Sequence, residues 1–170
     1  MSQLKVDSII PRGGLPSGAS GGIIQIVYVE KTDAFSANVG SSFVDITGMA
    51  VTITPQSSSN KILIMPSVNL VAQQSHRWGF IILRGSTIIH RADAASNRRR
   101  VTSGGGNPPT TVDNQHFCTP FLDSPNTTSA TTYKLQCIGE GSSTNVFCNR
   151  TDNDGNNSDK FRYASSIMAM

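Results

Sequence analysis

Two clusters in this chain combine residue types and spacing that bear on chemistry. Asp152-Asn153-Asp154-Gly155-Asn156 sets alternating carboxylates ahead of a glycine, as a loop does when it wraps a hard cation. The full calcium pattern needs a third ligand before the glycine and a bidentate Glu six residues after it, and neither is present. Asn/Asp/Gly clusters also form ordinary hairpin ends. Asp152 and Asp154 are therefore read first as turn residues and second as contacts for a cation or a sugar. The second cluster, Arg98-Arg99-Arg100, presents guanidinium forks suited to an anionic glycan, a phosphate or a neighbouring subunit's carboxylates. Its plainer reading is a solvated loop.

The remaining reactive residues do not assemble into a site. His76, His90 and His116 lack metal-ligand spacing and are read as surface or core residues. No G-x-S-x-G elbow exposes a serine, and no pair of carboxylates is placed for glycoside cleavage. Gly104–Gly106 leads into Asn-Pro-Pro, not into a phosphate-binding helix. Cys118, Cys137 and Cys148 cannot all pair within one chain and are expected to be three buried thiols, consistent with folding in a reducing cytoplasm. The sequence thus nominates no catalytic residue, cofactor or metal, and the reading is of a non-enzymatic protein.

Charged residues are only 15% of the chain, against the usual level of about 25%. The polar surface is instead rich in Ser, Thr, Asn and Gln. Residues 84–100 hold five arginines against one aspartate, which is a basic loop and not the broad positive field of a nucleic-acid-binding domain. No stretch approaches the ~20 apolar residues of a membrane span. Met1–Ile10 lacks the uninterrupted apolar stretch of a signal peptide.

These residues must be carried by strands. The segments Ile23–Val29, Phe43–Ile53, Lys61–Val71, Trp78–Leu83, Thr87–His90, Phe117–Leu122, Tyr133–Ile138 and Phe161–Met168 are short, rich in β-branched and aromatic residues, and separated by Gly, Ser, Asn and Pro. Eight to ten strands in one domain predict an all-β, jelly-roll-like antiparallel sandwich over residues 23–170. Residues 1–22 read as an arm: Leu4, Val6, Ile9 and Ile10 alternate like a strand ahead of a Gly/Ser/Pro leash. Such a strand is expected to add to a sheet edge of another subunit or docking protein, a disordered tail being the alternative.

Local features sharpen the prediction. Apolar residues on both parities of Ile23–Val29 predict a strand covered on both faces. Val44 and Ile46 share one parity and Met49, Val51 and Ile53 the other, so a bulge or bend is expected at Gly48. Pro66 is expected to break its strand's ladder. Trp78, Tyr28 and Phe35 are read as core or interface residues. Thr144–Cys148 is expected to pair with Thr131–Ile138, and residues 91–113 to form a long exposed loop. The last strand is expected in a sheet centre near a subunit axis.

The framework resembles virion structural proteins of marine tailed bacteriophages, including those infecting cyanobacteria. The resemblance is carried by LKVDSII (Leu4–Ile10), FVDITGMAVTITP (Phe43–Pro55) with SSNKILI, LRGSTII, FLDSPNTTSATTYKLQ and the closing SSIMAM. Many such proteins are tail fibres or receptor-binding proteins, and their longer forms carry LKVDSI-like segments in a shaft. The resemblance implies a virion protein made in the host cytoplasm: a short tail fibre or fibre tip, or else a capsid decoration or head fibre. It is expected to be a homotrimer, docked to other virion proteins through Leu4–Ile10. Host glycan or protein would be met by residues 92–113 or the Asp152–Asp159 turn.

Overall fold

The computed structural model describes residues 22–106 and 114–170, which form twelve strands and no helix. They are β1 (Val27–Lys31), β2 (Phe35–Asn38), β3 (Val44–Ile53), β4 (Ile62–Ala72), β5 (Arg77–Arg84), β6 (Thr87–His90), β7 (Ser103–Gly106), β8 (Gln115–Cys118), β9 (Phe121–Asp123), β10 (Thr131–Gly139), β11 (Asn145–Cys148) and β12 (Ser165–Ala169). Every pairing is antiparallel. Residues 1–21, including Leu4, Val6, Ile9 and Ile10, lie outside the described residues, as do residues 107–113.

Several strands are halves of longer ones. β1 and β2 lie in line, as do β11 and β12 beside them, while β8 and β9 share the far edge of β4. β6 and β7 likewise share one edge of β5. Twelve segments therefore trace eight long strands in two sheets. The first sheet runs β1/β2, β11/β12, β4, β8/β9, and the second β3, β10, β5, β6/β7. Numbered as long strands in chain order, these are 1-8-3-6 and 2-7-4-5, the two Greek keys of a jelly roll. The expected fold class is borne out, and the last strand does sit inside its sheet, between β1 and β4. The expected pairing of Thr144–Cys148 with Thr131–Ile138 is not found. β11 crosses to the first sheet, because Val146 and Cys148 bury their side chains there against Leu70 and Ala72 of β4.

The core lies between the sheets, with Ile64, Val68 and Leu70 facing Phe80, Ile82, Tyr133 and Leu135. Gly48 (φ +86°) sits in the predicted bulge, where the five steps of β3 from Asp45 to Ala50 are spanned by two steps of β10, Gln136 to Lys134. Ile46 and Met49 both reach the core as a result. Pro66 does not end its strand, and the reason is geometric. Leu63 and Met170 exchange both backbone hydrogen bonds, at 2.9 and 3.1 Å, and β12 continues in unbroken register. Ladder bonds toward β12 thus fall on Leu63, Met65 and Ser67. The amide that proline lacks would face the other edge, at the gap between β9 (from Phe121) and β8 (to Cys118).

The two-face coverage expected for Ile23–Val29 is not seen. Pairing starts at Val27, and Ile23, Ile24, Ile26 and Tyr28 are exposed. The long loop is largely exposed over residues 91–99, as expected, but its end packs onto the sheet. Residues 91–102 fold back over the outer face of the second sheet, with Val101 against Gly79, Thr102 N–H donating to Phe80 O (2.7 Å) and Ala92 N–H to Val101 O (3.0 Å), and β7 then joins that sheet. Ile81 and Leu83 are buried on this outer side. Residues 149–164 do the same on the first sheet: Arg150 lies over the Phe147 ring at 4.6 Å, and Asn69 Nδ2–H donates to Ala164 O.

Candidate recognition surface

The loops sort onto two ends of the sandwich. At one end Val39 N–H donates to Thr144 O, Gly40 abuts Ser142, and Glu140 N–H donates to Arg77 O. At the other, the backbone entering at Gly22 meets residues 55–63, Leu122 and Met170 around an open groove of about 520 Å³. Lys61 and Arg84 tie the 124–130 turn to that end through Ser124.

The triple arginine belongs to the first end, and its members have separate fates. Arg99 Nη1 donates to the carbonyls of Gly139 (2.7 Å) and Gly40 (3.4 Å), and Arg100 Nε to Ala92 O (2.7 Å). Arg99 thus fastens the 91–102 loop to β10 and to the Gly40 turn, while Arg100 braces the loop internally. Arg98 is exposed, with no side-chain partner among the described residues, and is the member available to an external anion.

Beside this loop an open cleft of about 470 Å³ is walled by the backbone of Gly104–Gly106, floored by Trp78, Val101 and Ile138, and rimmed by Arg77, Arg99 and Glu140. Arg77 and Glu140 form an exposed ion pair at 3.2 Å. The close packing of β7 requires glycine there: a Cβ at Gly104 would strike the Trp78 carbonyl, and one at Gly105 the Gln115 amide. Sequence reading passed over Arg77 and Glu140. The glycine run was the available signal, discarded because it precedes no helix.

The Asp152–Asp154 turn is occupied from within. Asp152 Oδ2 accepts from Gln74 N–H (2.9 Å), and Asp154 Oδ2 meets Arg162 Nη2 (2.7 Å) and Arg150 Nε (3.7 Å). Asn153 Oδ1 accepts from Gly155 N–H in an Asx turn. The primary reading of this cluster as a turn matches what its carboxylates do. No group of three or more His, Cys, Asp or Glu able to hold a metal occurs among the described residues.

The buried polar groups brace the sandwich. Asp123 accepts from Tyr133 Oη–H (2.7 Å) and from Arg84 Nη1 (3.0 and 2.8 Å), bridging β9, β10 and β5. Burial, and then the hydrogen bond to Asp123, push the Tyr133 phenol well above its ordinary value. Lys31 is buried inward, pairs with Asp33 at 2.7 Å, and lies against the bare Cα of Gly48. That lysine lowers Asp33 by hydrogen bonding. Asn149 spans the gap between β1 and β2, donating to Lys31 O (2.7 Å) and Asp33 O (3.2 Å) while accepting from Ser165 Oγ–H (2.6 Å).

The histidines are dispersed. His116 bonds Ser67, His76 bonds Gln73 and Gln74, and His90 stacks on Phe121 at 4.6 Å. Cys137 and Cys148 are buried as expected, and burial raises their thiols to about 12 and about 11. Cys118 is exposed, a correction that follows from its position on the outer face of the edge strand β8.

No family model matches the sequence, and no curated protein matches it. Among solved structures, the chain is similar to a chain of infectious bursal disease virus Gx strain (19% identity, TM-score 0.41) and to one of the VP2 subviral particle of infectious bursal disease virus (17%, 0.43). Each alignment covers 85% of this chain and 36% of the other, so this chain spans about a third of their length.

Proposed function

We propose that this chain is a non-enzymatic phage virion structural protein, a short tail fibre or fibre tip that mediates attachment to the host surface, most simply as a homotrimer. The observation that carries this reading is the polarity of the sandwich. The backbone leading from the arm enters at the end that holds residues 55–63. Arg98, the glycine-walled cleft and the Asp152 turn gather at or beside the opposite end. Such a body presents these loops away from its attachment. The resemblance of the sequence framework to tailed-phage virion proteins supports the same setting.

In this reading the arm residues Leu4, Val6, Ile9 and Ile10 dock to other virion proteins by adding a strand to a sheet edge. Arg98 and the cleft rim contact an anionic or hydroxyl-rich host glycan or protein. Several copies engaging together convert weak contacts into avidity.

One observation favours a second reading, a capsid decoration or head-fibre protein: Arg99, Arg100, Asp152 and Asp154 are spent on internal contacts, leaving few free recognition groups. Adsorption decides between the two. Virions carrying Arg98→Glu together with Arg77→Glu should keep the protein and adsorb at least tenfold more slowly. Normal adsorption, with particles that burst more readily when the protein is missing, would support decoration instead.

A further inference from the structure

We propose that the outer face of the β1–β12–β4–β9 sheet, in its half nearest Gly22, is the surface through which copies of this chain pack on one another. The other large apolar outer areas are covered by the chain's own loops. Ile81 and Leu83 are buried on the side where Val101 of the 91–102 loop packs against Gly79, and Phe147 lies under Arg150 of the 149–164 segment. This half-face is bare among the described residues. Tyr28 is 55% exposed, Ile26 58% and Leu122 57%, with Ile23 and Ile24 beside them.

The patch is contiguous by register. Tyr28 lies opposite Met168, Met168 opposite Met65, and Leu63 opposite Leu122. The five exposed side chains alone present on the order of 500 Å², the upper range for the largest apolar patch of a monomer. Adding Leu63, Met65 and Met168 brings it toward the ~800 Å² that one partner contributes to a standard interface.

Its shape selects the occupant. The patch crosses all four strands of the sheet, so one extended segment of chain, a single strand spacing of about 4.8 Å wide, covers only a stripe of it. A second sheet face covers it whole. The patch itself holds no charged residue to select a charged partner. Its flanks carry Glu30 on β1 and Lys61 ahead of β4, opposite signs at opposite corners, and neither has an ionic partner among the described residues. That is the complementarity a second copy supplies.

The inference deepens the homo-oligomer of the proposed function, and the two fail separately. Absence of the protein from purified virions would sink the virion reading and leave this one standing. The test is the mass of the full chain in solution at tens of micromolar. Wild type should sediment as a multiple of 18.1 kDa, while Leu122→Lys and Tyr28→Lys, both on exposed positions, should fall to the monomer with unchanged circular dichroism. A monomeric wild type would overturn the proposal, including one whose own residues 1–21 cover the face. So would folded variants that keep the wild-type mass. Should one lysine variant fail to fold, the other decides alone.

Discussion

Asp123 joins three strands through one carboxylate, and its neighbours show what its loss would do. Asp123→Ala would strand the Arg84 guanidinium, itself partly exposed, and leave the buried Tyr133 hydroxyl without its acceptor. Breaking such a pair is expected to cost about 3 kcal/mol, against about 1 kcal/mol for Tyr133→Phe, which removes a single hydrogen bond; urea titration of the two variants measures the difference. Cys137 and Cys148 weaken the fold at alkaline pH. Their folded-state values, about 12 and about 11, lie above the ordinary thiol value of 9.0 that holds in the unfolded chain, so the unfolded chain releases these protons first. Their contribution is full below pH 9 and falls as pH rises toward 11–12, by about 1.4 kcal/mol per pH unit for each thiol ionised only when unfolded. Urea midpoints at pH 8 and pH 10.5 should differ accordingly, and replacing both thiols by alanine should flatten the difference. A maleimide should modify one thiol in the native protein, Cys118, and three after denaturation. Little of this was legible in the sequence. Asp123 precedes Ser-Pro-Asn and reads as a surface turn, because the strands that bury it lie far away in the chain. Cys118 read as buried because alternation fixes which residues share a face and not whether an edge strand's outer face is covered.

At the scale of single elements, local rules succeeded where the physics is local. The parity switch in β3 located the bulge, since two apolar sets cannot share a face without extra residues between them. Gly48→Ala places a Cβ in the left-handed region and crowds Lys31, and is expected to lose 1–2 kcal/mol or slightly more. Pro66→Ala is expected to change stability by less than about 1 kcal/mol, since the restored amide faces a gap and finds no ladder partner. Comparing the two urea midpoints checks both. The pairing of β11 was misread because chain proximity favours a hairpin, whereas this topology sends β10 and β11 to opposite sheets. The 91–102 loop read as solvent-facing because its apolar content is low. Its far end is held down by Arg99, bonded to the Gly139 and Gly40 carbonyls, and by Val101 against Gly79, and composition does not reveal these contacts.

For the whole molecule, topology dictates how the chain folds. Among the described residues β1 finds its one ladder partner in β12, so an early strand waits for a late one. With pairings this remote, folding is expected in the millisecond-to-second range. Deleting residues 165–170 should abolish native circular dichroism rather than trim it, because β1 and β4 would both lose their β12 ladders. The fold class was legible from strand count and punctuation, as was the interior place of the last strand. The recognition end was not, since it is assembled from segments that only the finished sandwich brings together. A separate consequence comes from the neck of the 149–164 excursion. Asn149 and Ser165 clasp each other across it by a hydrogen bond of 2.6 Å, and Asn149 is pinned again to the first strand. The excursion is therefore a peninsula with a locked isthmus. A foreign peptide spliced at its shore, between Asn157 and Ser158, would lengthen a closed loop whose entropy rises by only ~0.6 kcal/mol per doubling, which makes this body a natural display scaffold.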